Sequence, residues 1–356
     1  MKSTTDMHPC PSLLIIALLA QSVMALSLMT QPLAAEPVAI SVPATAETPG
    51  ISGDADDPAI WVNPDDPAQS LILGTDKQAG LHVYGLDGTE RAFLPDGKLN
   101  NVDVRPFLLG GRPVALAGAG RRDDDTLVFY VIDAKGIRHA EPFAHAATPA
   151  DQPGVDDIYG FAMAQDATGT YALVNFKSGH ILQYRIDDQA GQLRLALVRQ
   201  WQVGSQPEGM VADDRAGHIY VGEEDRGIWR FPLDPSRPAD AFAVDTIPSD
   251  CLPRDDVEGL AIHDSAAGRT LVASAQGIHR AAVYRLNGEA VPTCAALVEI
   301  TAGTVDGVTE TDGLDVTAAA LPGFPNGLMV MMDDQNAGFT SNFKLIDWTA
   351  IGAALP

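Results

Sequence analysis

Acidic side chains in this sequence recur in short groups, and the placing of those groups predicts a metal-binding chemistry. Many stand just before or just after a short apolar stretch, so they share one phase of a repeated pattern. Carboxylate oxygens suit Ca²⁺, which takes about six to eight oxygen ligands. A solvated turn is the alternative for any single pair, but the repeated phase favours a metal site. The groups are Asp54, Asp56 and Asp57; Asp123 to Asp125; Asp156 and Asp157; Asp213 and Asp214; Glu223 to Asp225; Asp255, Asp256 and Glu258; Glu310, Asp312 and Asp315; Asp333 and Asp334.

Several other hydrolytic chemistries lack their motifs. The sequence has no EF-hand loop, no HExxH or HxH spacing for zinc, and no Gly-x-Ser-x-Gly elbow for a serine nucleophile. A Cys-x5-Arg phosphatase loop is excluded because Val257 and Ile300 stand where the arginine is needed. Arg138-His139 lacks the rest of an RHGxRxP motif. Any calcium would therefore be held by carboxylates gathered from distant segments.

The charge of the chain limits its partners. Its 47 acids and 23 bases give a formal net charge of −24. Such a surface repels nucleic acid and anionic membranes, so we expect neither as a partner. It would also repel a polyanionic substrate unless metal ions supplied positive charge.

The N-terminus predicts export. Lys2 precedes an apolar run over residues 13–20, and small residues suitable for cleavage follow in the triplets at 23–25 and 33–35. We therefore predict a signal peptide and short leader over residues 1–35 and a secreted or periplasmic mature protein. An uncleaved anchor is the alternative. In an oxidising compartment Cys251 and Cys294 would form a disulfide, the alternative being two unrelated buried thiols.

A repeat of about 50 residues organises the rest of the chain, over residues 36–356, as a single domain. An acidic or aromatic residue followed by glycine and alternating apolar residues appears at YGFAMA, EGMVAD, EGLAIH and DGLDVT, with glycines at Gly160, Gly209, Gly259 and Gly313. Short alternating strands surround each copy, and amphipathic helical stretches are almost absent. Six such units predict an all-β, six-bladed β-propeller; two β-sandwich domains are the alternative.

A propeller would explain how scattered acids make one site. Equivalent positions of successive blades converge at one end of the central channel. Carboxylates at that phase of the repeat would form a ring of oxygen ligands around calcium.

Eight motifs in order resemble the β-propeller phytases. The resemblance runs from about Asp54 to Trp348. The motifs are DADDPAIW (54–61), KLNNVDVR (98–105), DDIYGF (156–161), QPEGMVADD (206–214), EEDRGIWRF (223–231), DVEGLAI (256–262), ASAQG (273–277) and TDGLDV (311–316).

The resemblance implies several calcium ions and a set of site residues. A structural calcium site near the first blade, and residues that hold or surround catalytic calcium, would account for the metal ligands: Asp56, Asp57, Pro58, Val102, Glu208, Asp256, Glu258, Gln276, Glu310, Gln335 and Asn336. The implied catalytic positions are Tyr159, Glu208, Glu224 and Glu258. The implied phosphate contacts are Lys77, Arg121, Lys177, Asn100 and Asn101, with Arg122 an alternative to Arg121.

Four positions depart from the family pattern. Gln78 replaces a second lysine, Ser178 replaces a glutamate, and Gln335 stands where a glutamate ligand is usual. Glu310 replaces an aspartate and keeps the charge. These changes bear on the number and affinity of the calcium ions more than on the reaction.

The implied function is calcium-dependent hydrolysis of phytate (myo-inositol hexakisphosphate), of the 3-phytase type, by a monomer. Calcium would join the acidic protein to its polyanionic substrate, and a calcium-bound water would attack phosphorus directly. A lactonase-like calcium propeller is one alternative, but it would need no Lys and Arg residues near the acids. A non-catalytic interaction propeller is the other, and it predicts no calcium dependence.

Overall fold

The computed structural model describes residues 36–149, 155, 157–288, 290–336, 338 and 340–356. The predicted signal peptide and Asp156 lie outside the described residues. Glu36 to Pro356 form one compact unit. Within it six sheets contain 25 described strands. No helix among the described residues is long and apolar enough to cross a membrane.

The first half of the chain forms two leading strands and three four-stranded sheets, which we call blades 1 to 3. Each blade runs antiparallel from an inner strand at the channel to an outer strand. The leading strands are β1 (Val38–Pro43) and β2 (Ala46–Glu47). Blade 1 contains β3 (Ala55–Trp61), β4 (Leu71–Asp76), β5 (Gly80–Gly85) and β6 (Glu90–Leu94). Blade 2 contains β7 (Leu99–Leu109), β8 (Arg112–Arg121), β9 (Thr126–Asp133) and β10 (Gly136–Ala146). Blade 3 contains β11 (Ile158–Asp166), β12 (Gly169–Phe176), β13 (His180–Gln189) and β14 (Gln192–Gln202).

The second half repeats the arrangement in blades 4 to 6 and ends in one short helix, α1 (Trp348–Ala354). Blade 4 contains β15 (Pro207–Asp213), β16 (His218–Glu223), β17 (Gly227–Pro232) and β18 (Phe242–Thr246). Blade 5 contains β19 (Val257–Ser265), β20 (Gly268–Ala275), β21 (Arg280–Arg285) and β22 (Thr293–Thr301). Blade 6 contains β23 (Leu314–Thr317), β24 (Leu328–Asn336) and β25 (Thr340–Asp347). Single turns of 3₁₀-helix lie at Pro67–Gln69 and Gln276–Ile278.

The leading strands close the ring. β2 pairs antiparallel with β25 and so supplies the outer strand of blade 6, while β1 pairs in parallel with β22 on the outside of blade 5. Residues from near the two ends of the described chain thereby share a sheet. Closure of this kind protects edge strands from unwanted pairing.

Apolar side chains fill the spaces between neighbouring blades. The described residues contain six core clusters, one for each pair of adjacent blades. Between blades 2 and 3, for example, the rings of Phe129 and Phe161 meet edge to face with centroids 6.3 Å apart. Successive residues of one strand enter the clusters on opposite faces of its sheet, as Ile72 and Leu73 of β4 do. The propeller prediction is confirmed.

Cys251 and Cys294 form a disulfide, as predicted. Cys251 lies in the connection between β18 and β19, and Cys294 lies in β22. The bond therefore ties the connection between blades 4 and 5 to the outer part of blade 5.

Candidate active site at one end of the channel

The inner strands begin with β-bulges that explain why the predicted ligands share one phase of the repeat. In blades 1 to 5 the pairing of the first two strands shifts register near the start of the inner strand. A bulge re-aims side chains. The residues that the bulges leave unpaired include Asp56 and Asp57, Asn101, Tyr159, Glu208 and Glu258. With Asp312, which precedes β23, they define the channel mouth.

The repeated glycines allow the blades to meet at the channel mouth. A Cβ on Gly160 would stand 2.0 Å from the carbonyl oxygen of Glu208, and a Cβ on Gly209 would stand 2.0 Å from that of Glu258. A Cβ on Gly313 would stand 2.3 Å from Asp57 Oδ1. Only glycine permits such close approach, so the acid-glycine motif serves blade packing and ligand placement together.

Backbone strain also concentrates at this end of the channel, around the channel mouth. Seven described non-glycine residues have positive φ, and six of them lie in segments at the end of the channel where the inner strands begin. Positive φ is unfavourable for residues with a Cβ and tends to persist at functional sites. The six are Asn101 (28°), Asp125 (50°), Asp157 (66°), Asp256 (77°), His279 (54°) and Glu310 (43°).

Three glutamates come together at the channel mouth. One carboxylate oxygen from each of Glu208, Glu224 and Glu258 lies within 4.8 Å of the other two. Two unit charges about 4 Å apart repel by about 4 kcal/mol at an effective dielectric constant of about 20. Burial, and next the charge of Glu208, raises the pKa of Glu258 well above its usual range. Burial raises the pKa of Glu224 to about 7. A cation or a proton must offset this repulsion.

Two amides hold these glutamates in place. Asn100 is fully buried and donates from Nδ2 to Glu208 Oε1 at 2.9 Å, so it lies behind the glutamate and not on the surface of the mouth. Gln206, to which the sequence assigned no role, donates from Nε2 to Glu224 Oε1 at 2.6 Å. The sequence feature that could have indicated this role is the position of Gln206, two residues before Glu208 in the repeat motif.

The first blade supplies a second pair of acids. Asp56 Oδ2 accepts from the backbone N–H of Asn101 at 3.0 Å, and Asp57 Oδ2 accepts from that of Val102 at 3.1 Å. The predicted structural calcium residues Asp57, Pro58 and Val102 are therefore adjacent. Burial raises the pKa of Asp56 to about 6 and that of Asp57 well above its usual range.

Lys77 joins this pair to Asp312. Its Nζ lies 3.2 Å from Asp56 Oδ1 and donates to Asp312 Oδ2, while the Gln276 amide donates to the other oxygen of Asp312. Burial opposes the charge on Lys77, but Asp56 and Asp312 outweigh it and raise the pKa of the ammonium. The sequence placed Asp312 at the phase of Glu208 and Glu258 without making it a ligand.

Basic side chains gather on Tyr159. Lys177 Nζ lies 4.6 Å from the centroid of the Tyr159 ring, and the guanidinium of Arg122 lies 5.6 Å from it. Burial, then the charge of Glu208, raises the pKa of the Tyr159 hydroxyl, which is hydrogen-bonded to Glu208. The Arg121 side chain has different contacts. It donates to both oxygens of Asp124, at 2.9 and 2.7 Å, and its guanidinium lies over the Phe143 ring. Of the two arginines, Arg122 lies beside Tyr159.

Three of the remaining predicted ligands stand outside the glutamate cluster. Asp256 is tied to it by its N–H, which donates to the Glu224 carbonyl at 2.9 Å. Glu310 and Gln335 are exposed, and the N–H of Glu310 donates to His279 Nδ1 at 2.9 Å.

Asn336 belongs to a separate group in blade 6, which we call the Lys344 cluster. Lys344 Nζ is fully buried and lies 3.0 Å from Asn336 Oδ1 and 3.3 Å from Asp333 Oδ2. It also pairs with Glu47 and Asp306. Glu47 comes from the closing strand β2, so this cluster also joins the two ends of the ring.

Further along the inner strands the channel holds a cavity of about 200 Å³. Its polar lining includes Asp57, Asp103, Arg105 and Asp315. Arg105 Nη1 lies 2.6 Å from Asp103 Oδ1, and its Nε lies 2.8 Å from Asp214 Oδ2. We call Asp103, Arg105, Asp214 and Asp315 the channel clamp.

Comparison with known proteins identifies the family. The sequence model of the phytase family matches residues 11–356. The chain belongs to the phytase family. It is 37% identical over 329 residues to the 3-phytase of Bacillus subtilis (strain 168), an alignment that covers 87% of this chain and 84% of that protein.

Solved structures with little sequence identity share the propeller fold. The α-L-arabinanase of Penicillium chrysogenum, solved with arabinobiose, has a TM-score of 0.54 at 11% identity and covers 91% of this chain and 100% of that one. The Cps50 (Swd1) β-propeller domain of Myceliophteria thermophila has a TM-score of 0.50 at 12% identity over 84% of each chain. At this identity the likeness concerns the fold alone.

The donor set of this family member suits calcium. The channel mouth offers carboxylate and amide oxygens, with no described histidine or cysteine among its defining residues. Two buried oxygens there, Asp56 Oδ1 and Glu258 Oε2, have no hydrogen-bond partner among the described residues. Hard oxygen donors that protein hydrogen bonds leave open are what a calcium ion requires.

Proposed function

We propose that this phytase, a phosphoric monoester hydrolase of the 3-phytase class, uses calcium at the channel mouth to bind and hydrolyse phytate. The cluster of Glu208, Glu224 and Glu258 carries the proposal, because it brings one oxygen of each of three carboxylates within 4.8 Å of the others. Lys177 and Arg122 lie at Tyr159 beside this cluster. The site thus pairs a centre that attracts metal with groups that attract phosphate.

The metal would be held by Glu208 and Glu258, with Glu224 beside them, Asp56 and Asp312 elsewhere in the channel mouth, and Asp57, Pro58 and Val102 at the structural position. When bound, calcium would attract phosphate oxygens and lower the pKa of water at the site. Asn100 and Gln206 fix the directions of Glu208 and Glu224. These two amide hydrogen bonds make the ligand set rigid before the substrate arrives.

Lys177 and Arg122 would orient the scissile phosphate. An arginine gives paired donors in a fixed plane, and a lysine gives a mobile point charge. Both lie against the Tyr159 ring, which limits where their charges can stand. Tyr159 in turn is hydrogen-bonded to Glu208, so the phosphate contacts and the metal ligands have a fixed relative position.

Glu224 is suited to move a proton. Burial raises its pKa to about 7, so it is a competent acid or base near neutral pH. Its Oε1 is occupied by Gln206, which leaves Oε2 to take a proton from attacking water and to return it to the departing inositol oxygen.

The test is phosphate release from phytate by the chelated protein, with calcium then added back. We expect turnover to require calcium, and magnesium at equal concentration to restore less of it, because magnesium demands near-octahedral geometry. Full activity in excess chelator would contradict the calcium role. A lactone serves as the negative control, and chromatography of the inositol pentakisphosphate identifies the first position cleaved.

We propose further that the mature enzyme is an exported monomer. The N-terminal sequence pattern and the disulfide between Cys251 and Cys294 support an oxidising compartment. N-terminal sequencing of the mature protein would test cleavage between about residues 25 and 35. Light scattering during size exclusion would test the monomer.

A further inference from the structure

Lys77 occupies a position that a metal ligand set would also need. Its ammonium bridges Asp56 of blade 1 and Asp312 at the start of blade 6. Asp56 Oδ1 forms no hydrogen bond within the described chain, so its contact in the channel mouth is the ion pair with Lys77 at 3.2 Å. The other oxygen of Asp56 is held by the N–H of Asn101. These carboxylate oxygens therefore face a cation that the chain itself provides.

The partly exposed Lys77 differs from the buried Lys344 in its freedom to leave its ion pairs. The side chain of Lys344 has no exposed surface and is enclosed by four oxygen-bearing residues. The side chain of Lys77 is 19% exposed, and its residue directly follows β4 at the channel mouth. A lysine stem has four rotatable bonds and an ammonium that hydrates well. Rotation would carry the Lys77 ammonium toward solvent and toward any phosphate bound over the mouth.

We propose that the Lys77 ammonium and a calcium ion compete for the oxygens of Asp56 and Asp312, so that metal binding releases Lys77 to contact a substrate phosphate. The inference rests on the proposed calcium-dependent function and adds an order of events to it. Two cations cannot share the same carboxylate oxygens without strong repulsion at this range. Lys77 therefore stabilises the acids before the metal arrives and serves the substrate afterwards.

Two consequences follow from the competition. Calcium must displace an existing ion pair, so its apparent affinity at this position is weaker than the oxygen ligands alone would give. A phosphate that holds the released ammonium makes displacement easier, so calcium and substrate strengthen each other's binding.

The test is isothermal titration of the chelated protein with calcium alone, comparing wild type with Lys77→Gln. Glutamine keeps a polar side chain of moderate length and removes the competing charge. We expect one class of calcium sites to bind about tenfold more tightly in Lys77→Gln. Unchanged or weaker calcium binding in the folded variant would overturn the proposal.

Lys177→Gln is the matched control. It removes one positive charge from the same mouth, but Lys177 stands on the Tyr159 ring and not between Asp56 and Asp312. We expect less than about a threefold change in calcium affinity from this loss of long-range repulsion. An equal effect of both substitutions would show that net charge, and not displacement, controls the affinity. Lys77→Arg, which keeps the cation, should bind calcium no more tightly than wild type.

A second measurement follows Lys77 directly. Reductive methylation with ¹³C-formaldehyde labels lysine amines, and loss of one signal in Lys77→Arg assigns the Lys77 resonance. Added calcium should shift this resonance toward the position of an exposed lysine. A Lys77 signal that calcium does not move would contradict the release.

These measurements separate the two proposals. If titration of the wild type with calcium shows no heat of binding, the proposed calcium-dependent function itself is contradicted. Calcium-dependent phytate hydrolysis together with unaltered calcium affinity in Lys77→Gln would leave the function intact and reject the competition.

Discussion

The channel mouth and the channel clamp both place acidic side chains on or next to the inner strands. The two regions differ in whether those carboxylates find hydrogen-bond partners within the protein. In the clamp, Asp103, Asp214 and Asp315 each accept from the backbone N–H of a neighbouring blade, at 2.7 to 2.8 Å, and Arg105 bonds two of them. No carboxylate oxygen of the clamp is buried without a partner among the described residues. In the mouth, Glu258 and Asp56 each keep such an oxygen.

This difference shows how an acidic cluster can be assigned a role. A buried group of acids whose charge is balanced by the chain itself holds blades together. A group whose oxygens remain open, on a strained backbone, stores unfavourable energy that a bound cation relieves. In the Lys344 cluster Asp333 Oδ2 also lacks a hydrogen bond, but it lies 3.3 Å from a fully enclosed ammonium, so this cluster belongs to the first class. The cation that Asp56 Oδ1 faces is the partly exposed Lys77, which can be displaced.

The largest effect that we expect is on stability, at the clamp. Arg105→Met leaves the carboxylates of Asp103 and Asp214 without their cation and should lower the free energy of unfolding by about 3–5 kcal/mol. Arg215→Met is the control, because its 3.1 Å pair with Asp264 is exposed and should contribute less than about 1 kcal/mol. Denaturant unfolding measures both, and equal losses would mean that the clamp is not structural.

The second effect is on catalysis, at the mouth. Glu208→Gln keeps the size and the hydrogen bond from Asn100 but removes the charge expected to hold calcium. We expect kcat on phytate to fall about a hundredfold or more. The thermal midpoint without calcium should stay the same or rise, because repulsion from Glu224 and Glu258 is relieved. Near wild-type kcat in the folded variant would place the catalytic metal elsewhere.

The third effect is the pH dependence of the stability of the calcium-free protein, measured in the presence of a chelator. Burial raises the pKa of Asp56 to about 6, and those of Glu224, Asp312 and Asp315 to about 7. The folded chain therefore binds more protons than the unfolded chain between roughly pH 4 and 7. Stability should accordingly fall as pH rises through this window.

Calcium supplies the control for this prediction. It should raise the thermal midpoint most at the alkaline end, where the acids of the mouth are ionised, and so flatten the pH profile. Scanning calorimetry from pH 5 to 8, with calcium and with chelator, measures both curves. A chelated protein whose midpoint rises with pH would contradict the raised pKa values of the mouth acids and of Asp315.

The smallest effect distinguishes two neighbouring arginines. Arg122→Gln removes a cation beside Tyr159 and should raise KM for phytate about tenfold, with a smaller change in kcat. Arg121→Gln loses an ion pair with Asp124 at the side of blade 2 and should leave KM near that of wild type. Steady-state kinetics at saturating calcium measures both variants. The reverse order would show that Arg121 turns toward the substrate.

The sequence by itself determined the propeller scaffold and the position within each repeat at which the site residues occur. The acid-glycine motif at intervals of about 50 residues predicts the propeller, because stacked repeats share one blade geometry. The same phase identifies Glu208 and Glu258, since equivalent strand starts converge on one channel. The pairing of Cys251 with Cys294 followed from their even number together with the prediction of an oxidising compartment. These features depend on local pattern, which a single chain displays.

Only the tertiary structure decided what each polar side chain contacts. Arg121 and Arg122 are neighbours in sequence, but successive residues at the end of a strand point to different faces, so a shift of one residue changes the partner. Asn100 supports Glu208 across 108 positions of sequence, and Lys77 meets Asp312 across 235. Whether an acid is balanced within the protein depends on such distant contacts. The local pattern places acids in both the mouth and the clamp, and the folded ring alone determines which of them remain open to a metal ion.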